Sequence, residues 1–267
     1  QRRCHHAVVY YQFERLAGHA GLVHGVFTRR GGVSAPPFDT LNVGSTVGDN
    51  LAHVRENRAR MAAAMSVRDE ETRTTWQVHG AEVLVVRAGE APSWPPPKAD
   101  GVVTADPGVP LVMRFADCVP LLLYDPVKRA IGLAHAGWRG TLAGAGPATV
   151  RAMAEAFGSR PQDIIAGIGP SIGPCCYEVG PEVVDAVQRV FHGAHNLILP
   201  SPNGGRPHLD LWAANERALR AAGVHQIEVS EMCTYCLRSE FYSHRREQGK
   251  TGRFGALIAL QGTGNMG

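Results

Sequence analysis

The chain is short of several features that would each have pointed to a familiar class. Only six of its 267 residues are cysteine. They are too few and too scattered for a disulfide framework, so a cytoplasmic location with mostly reduced thiols is expected. No stretch approaches the roughly 18 uninterrupted apolar residues of a membrane-crossing helix, and no apolar N-terminal segment has the form of a secretion signal. Neither charge dominates: 27 Lys and Arg stand against 24 Asp and Glu, a formal net charge of +3. The one dense basic run, SHRREQGKTGR at 243–253, mixes its charges with loop-forming residues. It reads as a loop around at most one anion, and a nucleic-acid surface is not expected. The 12 histidines include no His-X-His pair, which argues against the copper clusters of blue multicopper oxidases. A lone GxGxxG, GTGNMG at 262–267, is a weak signal without its strand–turn–helix context, so dinucleotide chemistry is not expected.

What is there is core material. Hydrophobic residues make up 44% of the chain, enough for one large α/β domain over 1–267, with 1–20 and 262–267 peripheral. The Pro-rich APSWPPPK (91–98) and PSPNGGRPH (200–208) read as surface loops. Strands are expected at 81–87, 101–104, 110–116, 120–126, 130–136, 163–170, 225–230 and 254–260. Several are continuous apolar runs, as in sheets covered on both faces. Helices are expected at 50–65, 146–157, 180–191 and 209–223, the second starting near Pro147 and stopping at Gly158. These patterns predict helices on both faces of a mixed sheet. The strands between 110 and 136 leave no room for crossover helices, so antiparallel pairing is expected there.

Three lone soft-metal ligands sit in strand-terminal settings: His79 in TWQVHGAEV, Cys118 in FADCVPLLLYDP and His135 in IGLAHAGWRG. Imidazole and thiolate suit zinc, and three protein ligands with one open position form its catalytic arrangement. Spacings of 39 and 17 residues match no zinc finger, so the alternative stands that Cys118 is a small core residue and the histidines are hydrogen-bonded. Arg139, with Gly140 and Thr141, opens the helix after His135, where an anion would be favoured. A surface ion pair is the competing role. Cys175, Cys176, Cys233 and Cys236 are given no chemistry, because adjacent cysteines do not easily point at one metal.

TWQVHG, ADCVPLLLYDP, HAGWRGT, IGPSIGPCCYEVG, LDLWAANERAL and CTYC…FYSHRREQGKTGRFGALIAL occur in this order. Together they resemble the YfiH/YlmD family, labelled polyphenol oxidases or laccases and related to the mammalian purine-nucleoside enzyme FAMIN. The likeness runs from VFTRRGGVSAPPFDTLNVG (26–44) almost to the C-terminus. It implies a single αββα sandwich of the cysteine-hydrolase type and zinc held by His79, Cys118 and His135, a site that could also take copper. It further implies phosphorolysis of adenosine, inosine or methylthioadenosine, together with adenosine deamination. The partners would be a small-molecule nucleoside and phosphate, acting on a monomer or weak homo-oligomer, with no nucleic acid and no membrane. For deamination Asp117 is the candidate acid, against a turn cap or an orienting partner of a ligating histidine. Arg29 and Arg245 are further candidate substrate-binding anion contacts, against solvated loop cations. Asn42 is a candidate substrate contact, against a turn residue. His244 is a candidate catalytic residue touching substrate or metal-bound water, against a rim histidine. Core packing competes with a purine-covering role for Trp138. Copper-dependent phenol oxidation, editing of cell-wall precursors and non-catalytic ligand binding remain the alternative functions.

Overall fold

The computed structural model describes residues 1–193, 196–201 and 204–262. In chain order the first elements are β1 (Arg2–His5), β2 (Val8–Tyr11), α1 (Glu14–Ala17), β3 (Leu22–Phe27) and α2 (Leu51–Ala64). Then come β4 (Val83–Val85), β5 (Gly101–Thr104), β6 (Leu111–Phe115), β7 (Val119–Asp125) and β8 (Ala130–Ala136). Helices α3 (Trp138–Ala143) and α4 (Ala145–Phe157) precede β9 (Ile165–Ile168) and α5 (Pro181–Val190). The chain continues through β10 (Ile198–Leu199), β11 (His208–Leu209), α6 (Leu211–Ala221), β12 (Gln226–Val229) and β13 (Phe254–Leu260).

Two sheets stack face to face. One is antiparallel throughout, in the order β1-β2-β3-β13-β6. The other is mixed, in the order β12-β9-β7-β8-β5-β4, with β12–β9 and β4–β5 parallel. The pleat explains the apolar runs, because successive side chains leave a strand on opposite faces. On β7, Leu122 and Tyr124 enter the core between the sheets, beside Met113, Phe115, Leu133 and Phe254. Leu121 and Leu123 point the other way, towards Val150 and Met153 of α4 and Leu219 of α6. On β13, Ala256 and Ile258 face the inter-sheet core, while Leu257 and Ala259 pack with Met61 of α2 and Met65 just beyond it. The layers are therefore α/β/β/α.

Periodicity alone had placed helices on both faces of one sheet, and the strands of 110–136 in one antiparallel run. Each sheet instead carries its long helices on its outer face, while the one-turn α1 lies at the border of the inter-sheet core; β6 pairs with β13, and β7 and β8 form the hairpin. The chain crosses from one sheet to the other at Asp117, whose backbone is left-handed (φ 82°). Helix caps follow the sequence grammar: Asn50 accepts from Ala52 N at 2.8 Å and Asp210 from Ala213 N at 3.0 Å. Residues 1–20 are more integrated than expected. β1 is exposed along its length, but Phe13 and Leu16 are buried in the inter-sheet core. Of 262–267, only Gly262 lies within the described residues.

The N-terminal segment is joined to the sheet through His24. This residue is fully buried on β3, and its Nε2 accepts the Phe13 N–H at 2.9 Å. Its ring stacks on Phe13, with centroids 6.1 Å apart. Burial pulls the His24 imidazole down to about 4, below the unperturbed value near 6.5. The unfolded chain therefore binds more protons between these values, and the stability due to a neutral His24 is lost as pH falls through that window. The loss should approach about 3 kcal/mol near pH 4. Denaturant midpoints measured from pH 7 to 4 check this, and His24→Gln, which keeps an acceptor, should flatten the slope.

Candidate metal centre and its cleft

The crossover between sheets builds the site. Cys118 follows the left-handed Asp117 and directly precedes β7. His135 lies on β8, opposite Pro120 of β7. Two residues further on, Gly137 has no room for a side chain, since a Cβ there would come within 2.7 Å of Cys118 Sγ. His79 arrives on a separate turn and is itself left-handed (φ 63°), a conformation non-glycine residues adopt only when other contacts hold it. The holder is Asp100, immediately before β5. Its carboxylate accepts the N–H groups of Val78 (3.0 Å), His79 (3.0 Å) and Gly80 (2.7 Å). It also bonds His135 Nδ1 at 2.8 Å. One buried carboxylate thus fixes the turn bearing His79 and orients the ring of His135. With Nδ1 so committed, Nε2 of His135 is left for a cation, the carboxylate–histidine arrangement of metal centres.

The ligand atoms of His79, Cys118 and His135 lie within 4.8 Å of one another, and the two imidazole centroids are 4.9 Å apart. Burial alone would push the Cys118 thiol up, but His135 and His79 outweigh it and bring it down to about 6. Burial likewise works against protonated His135, yet the Cys118 thiolate and Asp100 raise it to about 9. Burial would also raise Asp100, but hydrogen bonds from His135, Gly80 and Val78 keep it below the usual carboxylate range. The thiolate a soft cation requires is therefore already favoured. Two imidazoles and a thiolate fit zinc with a fourth position open to the cleft.

The three ligands line a cavity of about 550 Å³. Arg114, Arg139, Arg245 and Arg253 line it too, and among the described residues Asp117 is its single acidic wall residue. Such a wall favours an anion. Arg139 stacks on Trp138, 4.4 Å from its ring centroid, and has no ion-pair or hydrogen-bond partner among the described residues. The helix it opens, α3, has six residues, so the guanidinium rather than an extended helix dipole is the anion-binding feature. Arg245 packs over Tyr177 at 5.1 Å and donates to Glu178 O at 2.8 Å. His244 and Trp138 also line the cavity.

Other residues singled out in the sequence are committed elsewhere. Asp117 accepts from Thr234 Oγ1 (2.6 Å), Ser243 Oγ (3.1 Å) and Arg245 N (2.7 Å), so it ties three segments together at the cleft. Asn42 is fully buried outside the cavity. Its amide is taken up by Gly44, Asp49 and the Arg253 N–H. Arg29 faces a separate depression, bonded to Asp39 and Glu247 at 3.2 and 3.0 Å. The basic run 243–253 folds inward, with Arg246 donating to Thr234 O and Tyr235 O at 2.7 Å. Asp100, Arg114, Arg253, Trp76 and Trp94 were missed by the sequence reading. Arg114 had left a trace there, as the lone charge inside an apolar strand. The Cys175, Cys176, Cys233 and Cys236 thiols, which chain adjacency had argued apart, also converge.

Comparison with known proteins matches residues 23–261 to the family described as multi-copper polyphenol oxidoreductase laccase. The purine nucleoside phosphorylase YlmD of Geobacillus stearothermophilus is 41% identical over 247 residues, covering 90% of each chain. A purine nucleoside phosphorylase of Deinococcus radiodurans is 44% identical over 237 residues, covering 89% of this chain and 88% of its own. The crystal structure of Bacillus licheniformis hypothetical protein YfiH superposes with a TM-score of 0.87 at 36% identity, covering 96% of this chain and 97% of that one. With a model matched over most of its length and relatives this similar, the chain belongs to the multi-copper polyphenol oxidoreductase laccase family, alongside the YlmD and YfiH proteins.

Proposed function

We propose that the chain is a zinc-dependent purine nucleoside phosphorylase, acting on adenosine, inosine or methylthioadenosine, with adenosine deamination as a second activity. One observation carries the reading: the floor of the cavity holds a soft-metal ligand set and its wall holds four arginines. A volume of about 550 Å³ lies within the range of small-molecule sites and accommodates a nucleoside beside a phosphate. The relatives of Geobacillus and Deinococcus are named purine nucleoside phosphorylases, which supports the phosphorolysis part of the reading. The zinc ligand set is His79, Cys118 and His135, and bound zinc would supply Lewis acidity at the reacting centre.

In phosphorolysis a phosphate oxygen bonds to the sugar C1′ as the bond from C1′ to the purine nitrogen breaks. The electron pair leaves with the base, which then takes up a proton. Arg139 and Arg245 hold the phosphate and offset its charge as it approaches a sugar carbon that is becoming cationic. Trp138, on the same wall, fixes the Arg139 guanidinium by stacking. His244 is the proton carrier facing the cavity. Asp117 acts as a positioning residue, because its carboxylate is engaged by three donors. That removes it as the acid for deamination and leaves this task also to His244. Among the described residues the single histidine-containing metal cluster has two imidazoles. A multicopper assembly needs more, so copper in this centre would support a side reaction at most. The free thiols suit a reducing, cytoplasmic setting.

The test is turnover of adenosine and inosine by protein of known metal content, with and without inorganic phosphate. Free base and ribose 1-phosphate should appear only with phosphate. Free ribose formed regardless of phosphate would make the enzyme a hydrolase, and no turnover by metal-replete protein would defeat the reading. Arg139→Ala should raise the KM for phosphate by roughly 10-fold or more, the value of one charge-assisted contact. Its effect on deamination should be much smaller, and equal losses in both activities would remove Arg139 from the phosphate site.

A further inference from the structure

The second cysteine cluster lies outside this chemistry. We propose that Cys175, Cys176, Cys233 and Cys236 form a separate, structural tetrathiolate site for zinc, which ties the segment 171–177 to the segment 232–237 at the border of the cleft. The four sulfurs lie within 4.8 Å of one another. Cys236 Sγ is 3.4 Å from Cys176 Sγ and 3.7 Å from Cys175 Sγ. Four thiolates at zinc–sulfur distances near 2.3 Å define a tetrahedron with edges of about 3.8 Å, so the observed cluster needs only small rotamer adjustments to close on an ion.

The backbone is arranged for this. Adjacent cysteines diverge on a strand, but Cys175 and Cys176 lie in a turn where the N–H groups of Cys176 and Tyr177 both bond Gly173 O, at 2.9 and 3.0 Å. This brings both thiols to one side. Opposite them, Cys233 and Cys236 have the C-x-x-C spacing of a metal-binding knuckle. The N–H of Gly173 points at Cys233 Sγ from 3.3 Å. Such a donor favours a thiolate. The two segments meet as a short parallel bridge between Ser171 and Cys233. Arg246 adds a cation against the carbonyls of Thr234 and Tyr235, favourable beside a dianionic tetrathiolate.

Four sulfur ligands leave no open position, so the site is structural rather than catalytic. What it holds matters to the cleft. Tyr177, under Arg245, directly follows Cys176, and Thr234, which donates to Asp117, directly follows Cys233. An ion closing a loop of more than 50 residues also lowers the entropy of the unfolded chain.

Full-length protein purified without chelator, as wild type, Cys118→Ala and Cys236→Ser, tests this by metal analysis and cobalt substitution. Wild type should carry two equivalents of metal. Cys118→Ala should keep one, whose cobalt form shows the intense sulfur-to-cobalt charge transfer of several thiolates, and Cys236→Ser should keep only the weaker band of the single Cys118 thiolate. Should Cys236→Ser fail to fold, Cys175→Ser at an exposed position gives the same reading. If wild type carries one equivalent that Cys118→Ala retains and Cys236→Ser loses, the tetrathiolate site stands and the proposed catalytic centre fails. If Cys118→Ala carries no metal, the cluster is not a metal site. Two of its thiols found joined as a disulfide by differential alkylation and mass analysis would likewise overturn it.

Discussion

Cys118→Ala is expected to empty the His79–Cys118–His135 centre and to reduce phosphorolysis by well over ~100-fold, since losing even a supporting residue of a metal centre costs 10–100-fold. The thiolate is the one anionic ligand of the set, and its charge favours the buried imidazole of His135 as well as a cation. Alanine leaves two neutral nitrogens that compete poorly with water for zinc. The fold should survive, because Cys118 precedes the first paired residue of β7, Val119. Metal analysis, nucleoside turnover and a denaturation curve on one preparation make the test. A variant that keeps both full turnover and its metal at this centre would remove Cys118 from the site.

Asp100→Ala should have the second largest effect, although Asp100 touches no substrate. Its carboxylate is fully buried and accepts four hydrogen bonds, three from the turn at 78–80 and one from His135. Truncation leaves those donors without their acceptor and lets the left-handed His79 turn relax. The expected cost is about 3 kcal/mol of stability, from several donors losing a charged partner partly replaced by water. Metal affinity should fall by ~10–100-fold. Asp100→Asn, which preserves volume but not charge, should lie between the two. Chelator competition separates the metal effect from the stability effect. Unchanged metal release in Asp100→Ala would mean that the turn and ring are held by other contacts.

Much of this architecture was legible in the sequence, and the omissions have physical causes. The runs of β7, β8 and β13 announced strands buried on both faces. A pleat does not say which sheet a strand joins, so β6 was placed beside β7 instead of beside β13. β1 and β2 at the sheet edge are short and rich in polar and aromatic residues, and β3 is interrupted by His24 and Gly25, so no long apolar run marked them. His79, Cys118 and His135 stood out because soft ligands at strand ends are unusual, and they converge. Asp100 carries no local mark in KADGVV, since its importance comes from facing His135 across the β5–β8 ladder. Arg29 and Asn42 sit in a distinctive motif, but that motif serves the packing of its own loop. The cysteine quartet was set aside by a rule that holds for extended chain and fails in a turn.

The cavity also carries its own optical reporter. The chain has four tryptophans, and three of them, Trp76, Trp94 and Trp138, line this one space, the first two substantially exposed to solvent. Intrinsic emission is therefore weighted towards the cleft rather than the core. A purine stacking there changes the indole surroundings directly, so occupancy can be followed in unlabelled protein, in real time and before any bond is broken.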